Sequence, residues 1–267
     1  MTHEVARSVR PGRDIAPGHR VVQLLRRGED VDVYDVWSEE RDCRCVAKAL
    51  RPDRAGDRGA RRRLVAEGRL LAGLAHPHLV RAYEVLEGPE PVVVLETLSG
   101  ETLGCMIGGH GPRIPTAELG ALGVQLCSAL SYLHRNGVLH LDLKPSNVIC
   151  HADQAKVIDL GIARGPGRGR PGVGSPAYMA PEQVRGGQLS EATDVWGLGA
   201  LLYKAASRVA PFGEHGVGRA PRRPEPVRTH RRLPGRVADT IDGCLDPVPG
   251  SRPTVSEVAT VLGEVAR

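Results

Sequence analysis

The sequence predicts an α+β fold in two parts, a small antiparallel β-sheet with one helix followed by a larger, mainly α-helical part. Two observations predict it. Short Val- and Leu-rich runs separated by turn residues crowd residues 19–96, and apolar residues stepping by three or four mark helices through 97–267. At 267 residues and 41% hydrophobic content, the chain is long enough for one large domain or two lobes with real cores.

Composition excludes several classes. A formal charge of +5 could suit nucleic acid, but aromatic residues make up only 3% and are not interleaved with basic runs, so no nucleic-acid partner is expected. Six cysteines at 43, 45, 105, 127, 150 and 244 match neither a zinc site nor a secreted disulfide framework. Cys43 and Cys45 have the spacing of same-face neighbours on a strand. No signal peptide or long apolar run occurs, and the apolar stretch Val195–Tyr203 is half the length of a membrane span, so a cytoplasmic protein without a membrane anchor is expected.

In chain order, residues 1–18 hold Arg7, Arg10, Pro11, Gly12, Arg13, Pro17 and Gly18 with little apolar periodicity, and read as a mobile lead-in. Val21–Leu25 and Val31–Trp37 read as hairpin strands joined by a tight turn, and Cys45–Leu50 as a third strand. After an Arg/Gly/Asp loop, a helix is expected from about Arg61 to Ala75, then strands over Val80–Leu86 and Pro91–Leu95. Apolar residues at 119, 122, 126, 130 and 133 form a helical stripe that Asn136-Gly137 ends. Asp194 opens a largely apolar helix, whose N-terminus suits an acid, and a final helix spans roughly Val255–Val265.

The chemistry concentrates in His140-Leu141-Asp142-Leu143-Lys144-Pro145-Ser146-Asn147, set between the apolar runs Val138-Leu139 and Val148-Ile149. It places a carboxylate, an ammonium and an amide in one loop, and Asp159-Leu160-Gly161 follows twelve residues after Asn147. A base for a hydroxyl proton, a cation for phosphate, and an amide and carboxylate for a divalent metal are what phosphoryl transfer requires. The chain has only four lysines and two asparagines, so their presence at Lys144 and Asn147 is not an accident of composition.

This stretch is similar to the catalytic loop of the eukaryotic-type serine/threonine protein kinases, a resemblance that extends over about residues 20–265. It implies a two-lobed protein kinase fold, with an N-lobe over 19–96 and a C-lobe over 97–267, that uses ATP and Mg2+ to phosphorylate Ser/Thr hydroxyls of protein substrates. In that pattern Asp142 and Lys144 are catalytic, and Asn147 and Asp159 hold the metal. Lys48, Glu67, Gly28, Val33, Glu96 and Leu98 would contact or support the nucleotide. Lys48, on the third strand, needs an anionic partner to be buried there, and Glu67 is its implied partner. Ser175, within Gly174-Ser175-Pro176-Ala177-Tyr178-Met179-Ala180-Pro181-Glu182, would position the acceptor site. His140, Glu182, Asp194 and Arg252 would be structural, the Glu182–Arg252 pair buried.

Three departures matter. The phosphate flap, where the family has three glycines, reads Arg26, Gly28 and Val31, beside acidic Glu29, Asp30 and Asp32. Its weakness keeps open a pseudokinase reading, a nucleotide-binding regulatory scaffold. Leu141 stands where regulated members carry an arginine that binds an activation-segment phosphate, and Ile162–Gly174 contains no Ser, Thr or Tyr, so activation without phosphorylation of this segment is expected. Lastly, residues 213–236 carry seven arginines, read as a solvated charged loop.

Overall fold

Cys43, Cys45, Ala47 and Ala49 alternate with Arg44, Val46 and Lys48, the period of a pleated strand, and Cys43–Leu50 is a strand with its small residues on the core side. A computed structural model describes residues 8–109, 111–213, 215–218 and 223–266. The chain divides into two compact units, one running to His76 and adding Val80–Leu98, the other made of Pro77–Leu79 and the chain from Ser99.

The first unit is a six-stranded antiparallel sheet with one helix. Its strands are β1 (Asp14–Ala16), β2 (His19–Arg27), β3 (Val31–Ser38), β4 (Cys43–Leu50), β5 (Ala82–Leu86) and β6 (Val92–Glu96), in the order β1-β2-β3-β4-β6-β5. Val21, Tyr34, Val36, Cys45, Ala47, Ala49, Val92 and Val94 form its core. Register places Lys48 opposite Val33 on one side and Val93 on the other. Helix α1 (Arg58–Ala72) begins three residues before the expected start because Asp57 caps it, its Oδ1 accepting from Gly59 N (2.8 Å) and Ala60 N (3.0 Å). It stops at Gly73, also three residues early.

The lead-in expected over 1–18 lies outside the described residues for 1–7. From Ser8 on, the chain instead packs on the sheet: Asp14–Ala16 pairs with β2, Val9 N donates to Tyr34 Oη (3.1 Å), and Val9, Ile15 and Ala16 cover the core. Scattered single apolar residues achieve this, so periodicity did not reveal it.

The second unit is mainly helical, so the α+β expectation holds. β7 (Glu101–Thr102) leads into α2 (Leu103–Gly108) and α3 (Thr116–Arg135), whose stripe Leu119, Leu122, Leu126, Leu130 and Leu133 is buried. The hairpin β8 (Val148–His151) and β9 (Gln154–Val157) joins β7 in a three-stranded sheet. β10 (Gly167–Arg168), α4 (Pro181–Arg185) and β11 (Gln188–Leu189) follow, with β10 and β11 paired, and α5 (Glu191–Ser207), α6 (Gly235–Cys244) and α7 (Val255–Gly263) complete the unit. No helix among the described residues is long and apolar enough to cross a membrane.

Residues 214 and 219–222 of the arginine-rich stretch lie outside the described residues. Elsewhere in it four arginines are engaged: Arg223 with Asp246, Arg228 with Asp239, Arg236 with Glu264, and Arg231 with Ala206 O and Thr116 Oγ1. From Arg223 on, the segment is thus exposed and charged, as expected, but tied to its surroundings by these contacts.

Arg252 fastens the second unit internally. Its Nη1 and Nη2 meet the two carboxylate oxygens of Glu182 at 2.7 and 2.9 Å, Nη1 also donates to Ala192 O and Nε to Asp246 O, and the guanidinium lies 5.0 Å from the Trp196 ring centre. Arg252→Met strands a buried carboxylate and should lower unfolding free energy by about 3–5 kcal/mol, whereas adding Glu182→Leu should restore part of that loss. Urea unfolding followed by Trp196 fluorescence measures both.

Candidate active site

Spacing alone brings Asp142, Lys144 and Asn147 into one loop between α3 and β8. Lys144 Nζ donates to Asp142 Oδ2 at 2.7 Å, and Asn147 Nδ2 donates to Asp142 O at 3.0 Å and Oδ2 at 3.3 Å. Ser175, 31 residues beyond Lys144, joins them: its N–H donates to Asp142 Oδ1 (2.9 Å) and its Oγ accepts from Lys144 Nζ (2.5 Å). Both carboxylate oxygens of Asp142 are therefore oriented, and two of the three N–H groups of Lys144 are used.

The loop's backbone is held from below. Asp194, in the first turn of α5 and 1% exposed, accepts from His140 N at 2.9 Å and Leu141 N at 2.8 Å, and its Oδ2 lies 2.8 Å from His134 Nε2. Leu141 has φ 66°, a left-handed conformation that costs a branched residue roughly 1–2 kcal/mol. Its carbonyl accepts from Gln183 Nε2 (2.8 Å), and its side chain packs with Leu139, Ile162 and Leu189. His140 Nδ1 accepts from Asp142 N at 3.1 Å, which leaves the proton on Nε2, where no hydrogen-bond partner exists among the described residues.

Asp159 follows β9. Val148 pairs with Val157, and Ile158 N donates to Asn147 O (3.0 Å), so the hairpin sets Asn147 and Asp159 side by side at its open end. Asp159 Oδ1 accepts from Gly161 N at 3.0 Å. An amide oxygen and a carboxylate are hard donors of the kind magnesium takes, with phosphate and water completing its shell.

In the first unit, Lys48 Nζ lies 2.6 Å from Glu67 Oε1, both side chains nearly buried at 11% and 7% exposure. Sequence reasoning missed the residue that allows it. A Cβ on Gly68 would stand 2.6 Å from Val93 Cγ2 and 2.9 Å from Val85 Cγ2, so only glycine lets α1 lie this close to β5 and to β6, the strand that pairs with β4 at Lys48. Gln183 was also missed: it accepts from Ala180 N and donates to Leu141 O and Val173 O, yet nothing local in the sequence marks it.

Gly28 occupies the β2–β3 turn, where its N–H donates to Val31 O at 3.0 Å and any Cβ would collide with that oxygen. Two of the three acidic residues beside it, Asp30 and Asp32, have side-chain partners. Asp30 accepts from Arg63 (2.5 Å) and Arg54 (2.7 Å), and the Arg63 bond, opposed by burial and helped by Arg54, holds its carboxyl below the usual range. Asp32 is buried and accepts from Ser8 Oγ and Tyr34 Oη, and Arg51 Nη1 donates to Gly28 O and Glu29 O. Val33 lies opposite Lys48, Glu96 exchanges bonds with the Arg81 backbone, and half-buried Leu98 ends the unit. The candidate residues thus form two sets, one in each unit.

Burial of His140 pushes its imidazole below the ordinary 6.5, against the opposing pull of Asp194, Asp142 and Asp159. The unfolded chain takes up that proton first, so His140 contributes stability that is complete above pH 6.5 and declines as pH falls from there toward the folded-state value. Unfolding free energy of the wild type should drop between pH 7.5 and 5.5 by more than that of His140→Gln, at most about 1.4 kcal/mol per pH unit. Urea titrations at both pH values give the difference.

The family model described as protein kinase domain matches residues 19–261. The serine/threonine-protein kinase PkaA of Streptomyces coelicolor is 34% identical over 238 residues, which is 82% of this chain and 42% of that protein. PknB of Mycobacterium tuberculosis is 34% identical over 210 residues, 73% of this chain and 33% of PknB. The chain therefore spans less than half the length of these relatives. Among solved structures, the kinase domain of Mycobacterium tuberculosis PknI superposes with a TM-score of 0.78 at 25% identity, covering 97% of this chain and 100% of that one.

Proposed function

The chain belongs to the protein kinase family, among the bacterial serine/threonine kinases, and from that premise we propose that it transfers the γ-phosphate of ATP to Ser or Thr hydroxyls of proteins. The observation that carries this reading is the bonded set Asp142, Lys144, Asn147 and Ser175. Asp142, oriented through both oxygens, takes the acceptor proton as the new O–P bond forms and the bond to the ADP oxygen breaks. The remaining N–H of Lys144 serves the transferring phosphoryl group, and Ser175 fixes both. Asn147 and Asp159 would hold magnesium, which neutralises phosphate charge when bound. Lys48, braced by Glu67, would secure the α- and β-phosphates, with Gly28, Val33, Glu96 and Leu98 lining the nucleotide's place. We read residues 19–96 and 97–267 as the two lobes.

Switching by activation-segment phosphate has no support. Leu141 is committed to an apolar cluster with Leu139, Ile162 and Leu189, and the segment is held by backbone bonds, Gly169 N to Gly187 O (2.8 Å) and Gly172 N to Gln183 O (3.0 Å). The six cysteines are all free, as suits a protein of the reducing cytoplasm.

Two tests follow. Purified protein with labelled ATP, magnesium and a mixed Ser/Thr peptide pool should transfer phosphate, and Asp142→Asn and Lys48→Met should each lose about 10²–10⁴-fold in rate. If the wild type binds nucleotide but transfers no faster than the two variants, the scaffold reading replaces this one. Separately, Ser175→Ala should reduce kcat, and Ser175→Asp should not restore it, since an acid there cannot accept the Lys144 bond without competing with Asp142. Rescue by Ser175→Asp would show instead a phosphorylation switch.

A further inference from the structure

Between the carboxylates of Asp159 and Glu182 the chain carries three arginines, Arg164, Arg168 and Arg170, and neither Asp nor Glu. All three are exposed. Several arginines elsewhere are matched with acids, such as Arg63 with Asp30, Arg69 with Glu87, Arg223 with Asp246 and Arg252 with Glu182. These three have no acidic partner among the described residues. Glu182, the nearest acid in sequence on the C-terminal side, is buried and bound to Arg252.

Their backbone is anchored. Arg164 exchanges hydrogen bonds with Leu139 (2.8 and 3.1 Å), three residues before Asp142. Arg168 lies in β10 opposite Gln188, and Gly169 and Gly172 on either side of Arg170 are tied to Gly187 and Gln183. Five residues beyond Arg170, Ser175 bonds to Asp142 and Lys144. Three unneutralised guanidiniums, on a segment fastened at both ends to the loop that holds Asp142, create a standing positive potential where an acceptor peptide would lie. Guanidinium forks match carboxylates. Nucleic acid fits less well, because residues 159–177 contain no aromatic side chain on which a base could stack.

We propose that Arg164, Arg168 and Arg170 form a docking strip for acidic sequence flanking the target hydroxyl, so that the substrates of this domain are Ser/Thr sites in Asp/Glu-rich stretches. The inference rests on the phosphotransfer reading for the word substrate, but the strip can be tested by binding alone. Fluorescent peptides with a central Ser flanked by Glu, Ala or Lys are measured by anisotropy and by transfer from labelled ATP, using wild type and the Arg168→Glu, Arg170→Glu double variant, with thermal melts confirming that both are folded. Wild type should bind and phosphorylate the Glu-flanked peptide roughly tenfold better than the Ala-flanked one, as two or three partly exposed ion pairs allow. Raising salt should erase the preference, and the double variant should turn it toward the Lys-flanked peptide. Equal binding of Glu- and Ala-flanked peptides, or an acid preference that survives charge reversal, overturns the proposal. So does tighter binding of a mixed-sequence oligonucleotide than of the acidic peptide. If the acidic peptide binds through these arginines and no peptide is phosphorylated, the strip stands and the phosphotransfer reading falls.

Discussion

One buried carboxylate fixes the geometry of the second unit. Asp194 accepts from two consecutive amides, His140 and Leu141, and lies within hydrogen-bond reach of His134, so three donors on α3 and the loop after it converge on the first turn of α5. Removing it would leave two buried N–H groups without partners, each costing about 1–3 kcal/mol. It would also release Leu141 from its left-handed backbone, a conformation that leucine holds only when its surroundings impose it. That reversal of chain direction is what allows Asp142 N to reach back to His140 Nδ1 and leaves the Asp142 carboxylate to Lys144, Asn147 and Ser175.

The two places where the sequence departs most from the family are repaired by different physics. At the β2–β3 turn a single glycine remains, and arginines do the holding: Arg51 grips two turn carbonyls, and Arg54 and Arg63 neutralise Asp30. Arg63 and Glu67 stand one turn apart on α1, so the helix that braces Lys48 also fastens the turn. At Leu141 a charge has been replaced by apolar contact. A patch of Leu139, Ile162 and Leu189 needs no modification to form, whereas an arginine in the same place would require an anion.

Much of this was legible in the sequence because short-range spacing determines it. Asp142, Lys144 and Asn147 share one loop, so their proximity follows from chain geometry, and the buried stripe of α3 follows from its period. The sheet-and-helix division was equally plain from the run lengths. What escaped were contacts whose partners are distant and whose signal is one residue: Gly68 against Val93, Gln183 against Leu141 O, and Asp57 capping α1 ahead of its first apolar residue. β1 escaped for another reason, since three residues seated by Ile15 and Ala16 have no period to detect.

Two cations of the second unit show how similar groups acquire opposite roles. Arg252, its side chain wholly buried, directs four hydrogen bonds at Glu182, Ala192 O and Asp246 O and lies over Trp196. Such a closed arrangement can only stabilise, because no donor faces an incoming ligand. Lys144 is 20% exposed, uses two N–H groups on Asp142 and Ser175, and keeps the third for solvent. An ammonium largely shielded from solvent and already oriented, with one donor still open, can bind developing negative charge with little reorganisation of its surroundings. The difference lies in whether the donor that the fold leaves over is exposed rather than in the charge itself, with Arg252 wholly buried and Lys144 reaching solvent.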